Sequence, residues 1–130
     1  MTWYAANIVT TIQLLETDQA SWPVEIQTYL IDAKDESEAL NLAEEFGKEE
    51  AVAGSDGLTW NNRPARTLYL GIVRLNLLYP PVSSHRVLGN GIPEHGAEIT
   101  HFKFEVGTLQ EAKALAEGNS VQMQIWEQEE

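Results

Sequence analysis

The residues able to do chemistry are few and scattered. The histidines are His85, His95 and His101, and the arginines are Arg63, Arg66, Arg74 and Arg86. Imidazole and carboxylate together hold divalent transition metals, which makes the histidines, with Glu94 and Glu98, the candidate ligands. Their spacing matches no tight ligand pattern. Side chains alternate along an unbroken strand, so His101 falls on the face opposite to Glu98. No metal or other cofactor is therefore expected, and the histidines read as two loop residues and one on a sheet surface. Ser83-Ser84-His85 sets hydroxyls beside an imidazole but lacks the strained strand-to-helix turn of a nucleophile elbow. Gly89-Asn90-Gly91 has the glycines of a phosphate cradle, with no strand before it and no helix after it, and reads as a turn. No catalytic residue is assigned.

The arginines carry more. All four lie between residues 63 and 86, whereas acids crowd residues 32–50. A planar guanidinium suits carboxylate and phosphate. With Trp60, Asn61 and Asn62 beside them, residues 60–66 are a candidate site for a small anion or for the acidic surface of another subunit. Surface pairing with local carboxylates is the competing explanation. The candidate ligand-binding set is Trp60, Asn62, Arg63, Arg66, Arg74, His85, Arg86 and His101.

These groups sit in a chain of 130 residues without cysteine. That length makes one domain able to bury a core unaided, and the missing cysteine removes disulfides, thiolate metal sites and cysteine nucleophiles. The first residues carry no secretory signal, and no apolar stretch approaches membrane-spanning length. A cytoplasmic compartment is expected. The formal net charge of −12 opposes binding to nucleic acid or to anionic membranes. It serves solubility, or it marks an acidic inhibitor that docks on a basic protein.

The positioning elements follow from periodicity. Residues 3–14 alternate as a strand, with Tyr4, Ala6, Ile8, Ile12 and Leu14 on one face. A turn leads to a second strand over 24–33, with Tyr29, Ile31 and Ala33 facing one way and Val24, Ile26 and Leu30 the other. Asp35 caps a helix, with Glu38 three residues on and Ala39, Leu42, Ala43 and Phe46 at helical spacing. The helix ends at Gly47 or runs on to Gly54. Residues 55–66 read as a loop. Residues 67–79 form a strand apolar on both sides, with Leu68, Leu70 and Ile72 opposite to Tyr69, Val73, Leu75, Leu77 and Tyr79. Such a strand is central and covered twice. After a long loop over 79–96, a strand spans 97–106. Thr108 caps a second helix ending at Gly118, and a last strand covers 120–126.

An internal repeat underlies this order. Val24–Glu44 lies over Ala97–Glu117 with seven identities in 21 positions, and the caps Asp35 and Thr108 coincide. The predicted fold is α+β: a duplicated β-β-α unit closed by a last strand, giving β-β-α-β-β-α-β. From the second strand onward this is the ferredoxin-like order, an antiparallel sheet with two helices on one face. The pseudo-repeats cover about 1–66 and 67–130, and the place of the first strand stays open. The other sheet face then carries Ile26, Leu30 and one side of residues 68–79. An open apolar face of that size wants a partner, either a second subunit, giving a homodimer, or the long loops.

Several short motifs point the same way. They are the Trp3-Tyr4-Ala5 start, the early hairpin, Ser37-Glu38-Ala39 with Ala43-Glu44, Tyr69-Leu70-Gly71-Ile72-Val73-Arg74-Leu75, and Gly96-Ala97-Glu98. Over about residues 3–105 the chain resembles a family of small bacterial proteins catalogued as domain of unknown function 4288. The resemblance implies a small protein with no assigned activity and supplies no catalytic residues. Three functions fit. The preferred one is a binding or assembly module using the open sheet face and loops 55–66 and 79–96. The others are an enzyme or small-ligand binder of the dimeric α+β barrel kind, and an acidic protein inhibitor or nucleic-acid mimic.

Overall fold

The computed structural model describes residues 2–78, 95–96, 98–118 and 124–125, the last pair as backbone. Strands β1 (Thr2–Leu14) and β2 (Trp22–Ala33) form a long antiparallel hairpin. Helix α1 (Glu36–Ser55) follows, then the short strand β3 (Thr59–Trp60), β4 (Arg63–Leu77), β5 (Glu98–Val106), helix α2 (Leu109–Ala116) and β6 (Gln124–Ile125). The sheet is antiparallel throughout, in the order β3-β4-β1-β2-β5-β6.

The α+β class and the antiparallel sheet with two helices agree with the expectation. The ferredoxin-like order does not form. There β4 would lie beside β5 and β6 beside β2. Instead the β1–β2 hairpin takes the centre, β4 adds to β1, and β5 adds to β2. The first strand thus lies inside the sheet, because its continuous pairing with β2 from Thr2↔Ala33 to Thr11↔Val24 excludes any other neighbour there. The pairing also does not repeat between the two halves of the chain. What does repeat is the helix start. Asp35 accepts from Glu38 N at 2.8 Å while Glu38 Oε1 accepts from Lys34 N; Thr108 accepts from Glu111 N at 3.1 Å while Glu111 Oε1 accepts from Gly107 N. Each pair satisfies two donors that a helix terminus leaves open.

The two helices lie on opposite faces, not on one. Alternation along the hairpin sends Tyr4, Ala6, Ile8, Tyr29, Ile31 and Ala33 to the side where Ala39 and Ala43 of α1 complete a core. It sends Val9 and Val24 to the other side, where they pack with Phe104, Val106 and the α2 residues Ala112 and Ala116. The second face is therefore not an open apolar surface. Further along it, Thr28 and Asn7 bond side chain to side chain at 2.9 Å.

Helix α1 runs through Gly47 to Ser55. Its buried residues Ala39, Ala43, Gly47 and Ala51 recur every fourth position, a small-residue stripe on one face that lets the helix lie close to the sheet. Ser55 fixes its end. The hydroxyl donates to Ala51 O at 2.8 Å and accepts from Thr67 N at 2.8 Å. The expected loop over 55–66 is mostly a hairpin. Asn61 and Asn62 both adopt left-handed φ, 56° and 63°, as a two-residue type I′ connection requires, so Arg63 already belongs to β4 and pairs with Trp60.

Strand β4 is covered twice, as expected, but its faces differ from simple alternation. Its pairing with β1 shifts register between Asn7 and Ile8 and again between Val9 and Thr10, leaving Val73 and Leu70 as extra residues. Tyr69, Ile72 and Leu75 consequently face α1, while Leu70 and Val73 face α2. A β-bulge does this by setting two residues against one.

Candidate functional site

Helix α1 packs over β1, β2 and β4. It leaves a groove along its C-terminal half, between the helix and the β2–β5 side of the sheet. Two adjoining cavities of about 200 and 210 Å³ share Thr10, Glu25 and Thr67. Glu50, Ala51 and Gly54 of α1 wall one side, with Gln27 of β2 opposite. Leu58, Pro23 and Lys103 enclose the far end. Thr10 is buried, and the small residues Ala51 and Gly54 are what keep the space open.

The groove continues onto the exposed part of β5. Tyr29 pairs with Glu98 and Thr28 with Thr100, so Ile99 is an extra residue in a bulge. The bulge puts Glu98 and His101 on the same face. This overturns the expectation that alternation separates them. His101 Nδ1 lies 3.3 Å from Glu98 Oε2, and the Gln27 amide points its Nε2 at the same oxygen from 3.4 Å. Glu25 joins them, with ligand-capable atoms of Glu25, Glu98 and His101 all within 4.8 Å of one another.

Tyr29 registers the charge of this region. Its hydroxyl is pushed up to about 12, first by burial, then by Glu98, Glu50 and Glu25, against an opposing hydrogen bond from Gln27. An unfolded tyrosine ionises near 10, so between about pH 10 and 12 the folded chain holds a proton that the unfolded chain has released. This contribution to stability is complete below pH 10 and is lost as pH rises to about 12. Tyr29→Phe should therefore flatten the alkaline fall in denaturation midpoint over that window. A fall as steep as that of the wild type would show that Tyr29 does not titrate late.

A family model described as Domain of unknown function (DUF4288) matches residues 3–100. The chain belongs to this family. No curated protein and no solved structure matches it. The family stretch spans the hairpin, α1, β3 and β4 and ends inside β5. It includes Glu25, Gln27, Tyr29, Glu50 and Glu98, and stops one residue before His101.

The fold distributes the sequence-derived binding residues over several places. Trp60 and Arg63 meet the β1–β2 turn in a cleft of about 320 Å³ with Leu14, Asp18, Gln19, Ala20, Ser21 and Asn61. Arg63 Nη1 donates to Thr17 Oγ1 at 3.3 Å, and Arg66 Nε donates to Gln13 Oε1 at 2.9 Å. Asn62 occupies the exposed hairpin tip, and Arg74 is exposed on β4 opposite Asn7. His101 stands at the groove, away from that cleft. His85 and Arg86 lie outside the described residues, as does nearly all of loop 79–96. His95 instead serves the fold, its Nδ1 accepting from Asp32 N at 2.9 Å. Sequence reasoning missed Glu25, Glu50 and Tyr29 as members of one site. Glu25 and Tyr29 were legible as residues of one strand face, but nothing in the sequence reported that α1 would lay Glu50 beside them. Among the described residues, no helix is long and apolar enough to cross a membrane.

Proposed function

We propose that the protein is a binding module whose groove beside α1 receives a positively charged group, an arginine or lysine side chain of a protein partner. One observation carries this reading: Glu25 of β2 and Glu50 of α1 line the same cavity, and a carboxylate oxygen of Glu98 on β5 lies within 4.8 Å of one of Glu25. Carboxylates concentrated in a concave site raise the local concentration of cations and speed their capture, and the net charge of −12 adds a long-range attraction. The binding role expected from the sequence is kept, but its place moves. α2 packs on the sheet face first assigned to it.

The test is a titration of the full chain with a short Arg/Lys peptide, followed by amide chemical shifts, with free arginine and an acidic peptide of equal length as the other arms. Shifts at Glu25, Tyr29 and Glu50 with the basic peptide, weakened at least tenfold in Glu50→Lys, are expected. Equal response to the acidic peptide, or none to the basic one, would end this reading. A response to free arginine alone would make the ligand a small molecule.

Assembly of two copies is a second reading, favoured by the exposure of Ile99 (41%) and Phe102 (44%) on β5. A light-scattering mass of a single chain at micromolar concentration counts against it.

A further inference from the structure

We propose that Glu25, Glu98 and His101 form a binding site for one divalent transition-metal ion of the zinc class, an inference that rests on reading the acidic groove as the binding surface. The three residues project from neighbouring strands of one sheet, β2 and β5, whose register fixes their backbones: Gln27 pairs with His101 and Tyr29 with Glu98. The Ile99 bulge is the device that brings them together, since without it Glu98 would point through the other face.

The distances suit a metal. Zinc binds imidazole nitrogen and carboxylate oxygen at about 2.0–2.2 Å in a tetrahedron, whose edges are then about 3.3–3.6 Å. His101 Nδ1 and Glu98 Oε2 already stand 3.3 Å apart, one such edge. Glu25 completes a set within 4.8 Å, close enough for side-chain rotation alone to close the site.

The charges point the same way. Glu25 has Lys103 directly across from it in register, yet among the described residues no ion pair joins them, and the close contact in this group is His101–Glu98. Glu25 instead lies beside a second carboxylate, which is unfavourable for like charges on adjacent strands unless a cation sits between them. Two carboxylates neutralise a dication, and the imidazole favours zinc, cobalt or nickel over calcium or magnesium. Gln27, held against Glu98 Oε2, is an outer partner of the kind that orients a ligating carboxylate. Three protein ligands leave a coordination position for water or a partner's donor atom.

The experiment is calorimetric titration of Zn²⁺ into the metal-free full chain, with Co²⁺ absorption as a report on geometry. One ion per chain is expected. His101→Ala and Glu98→Gln should each weaken binding at least 100-fold, and Gln27→Ala about tenfold. Circular dichroism checks that the variants fold, which the exposure of Glu98 and His101 favours. No binding below millimolar Zn²⁺, or unchanged affinity in both His101→Ala and Glu98→Gln, would overturn the site. Repeating the basic-peptide titration in chelator separates the two ideas. Peptide binding without zinc binding leaves the groove reading standing and removes the metal, and zinc binding without peptide binding does the reverse.

Discussion

Phe104→Ala is expected to remove about 3–5 kcal/mol of stability, the cost of deleting a large buried aromatic and leaving a cavity. Phe104 is 1% exposed and packs between Val9, Val24 and Val106 of the sheet and Ala112 and Ala116 of α2. The alanines opposite it are too short to close the gap. Its neighbour Phe102 has its ring centroid 5.4 Å away and is 44% exposed, so Phe102→Ala should cost far less, about 1 kcal/mol or under. Domains of this size are stable by about 5–15 kcal/mol, so the Phe104 variant is left marginal at best. Urea unfolding of the two variants side by side is the measurement. Equal losses would mean that α2 does not cover the second face.

Gly47→Ala should also destabilise, against the usual sign. In an open helix the change gains about 1 kcal/mol. Here a Cβ at Gly47 would lie 2.6 and 2.8 Å from the Tyr69 ring atoms Cε1 and Cδ1 and 3.1 Å from Ile8 Cγ2. Tyr69 is wedged beneath the helix, its hydroxyl buried and without a hydrogen-bond partner among the described residues, and Ile8 is 1% exposed, so neither can move aside freely. Overpacking of this kind costs about 1–3 kcal/mol. Gly54, in the same helix, is the control. A Cβ there would meet only Thr67, at 3.4 Å or more, so Gly54→Ala should be neutral or stabilising. Thermal melts that rank Gly47→Ala at or above the wild type would contradict the close approach of α1.

Much of the fold was legible because its causes are local. The helix caps at Asp35 and Thr108 and the alternation of Tyr4, Ala6 and Ile8 or Tyr29, Ile31 and Ala33 need only neighbouring residues to be read. Where the reading failed, the cause was distant. Which strand pairs with which, and on which face a helix settles, depend on contacts that no window of sequence contains. Bulges are the sharpest case. Gly71, at φ 150°, is the glycine in a strand that signals the irregularity of β4, and it could have been used. Ile99 carries no such mark, and so the one shift that unites Glu98 with His101 stayed hidden. Gly47 was ambiguous because glycine at a helix end and glycine under a crowded contact look alike in a string of letters.

The central position of the β1–β2 hairpin sets an order of events during synthesis. The hairpin is local and can close within about 1–10 μs. Its flanks must wait for distant chain: Leu77 for the β1 side, through Tyr4, and Val106 for the β2 side, through Trp22. Such far pairings make folding slow. At translation rates of about 5–20 residues per second, the β2 edge stays without its partner for several seconds after its own residues emerge. An unpaired edge in that interval is a template for pairing with another chain. Glu25 and Asp32 lie along β2, where their charge hinders such pairing, so the acidic residues can protect the nascent chain before the sheet is complete.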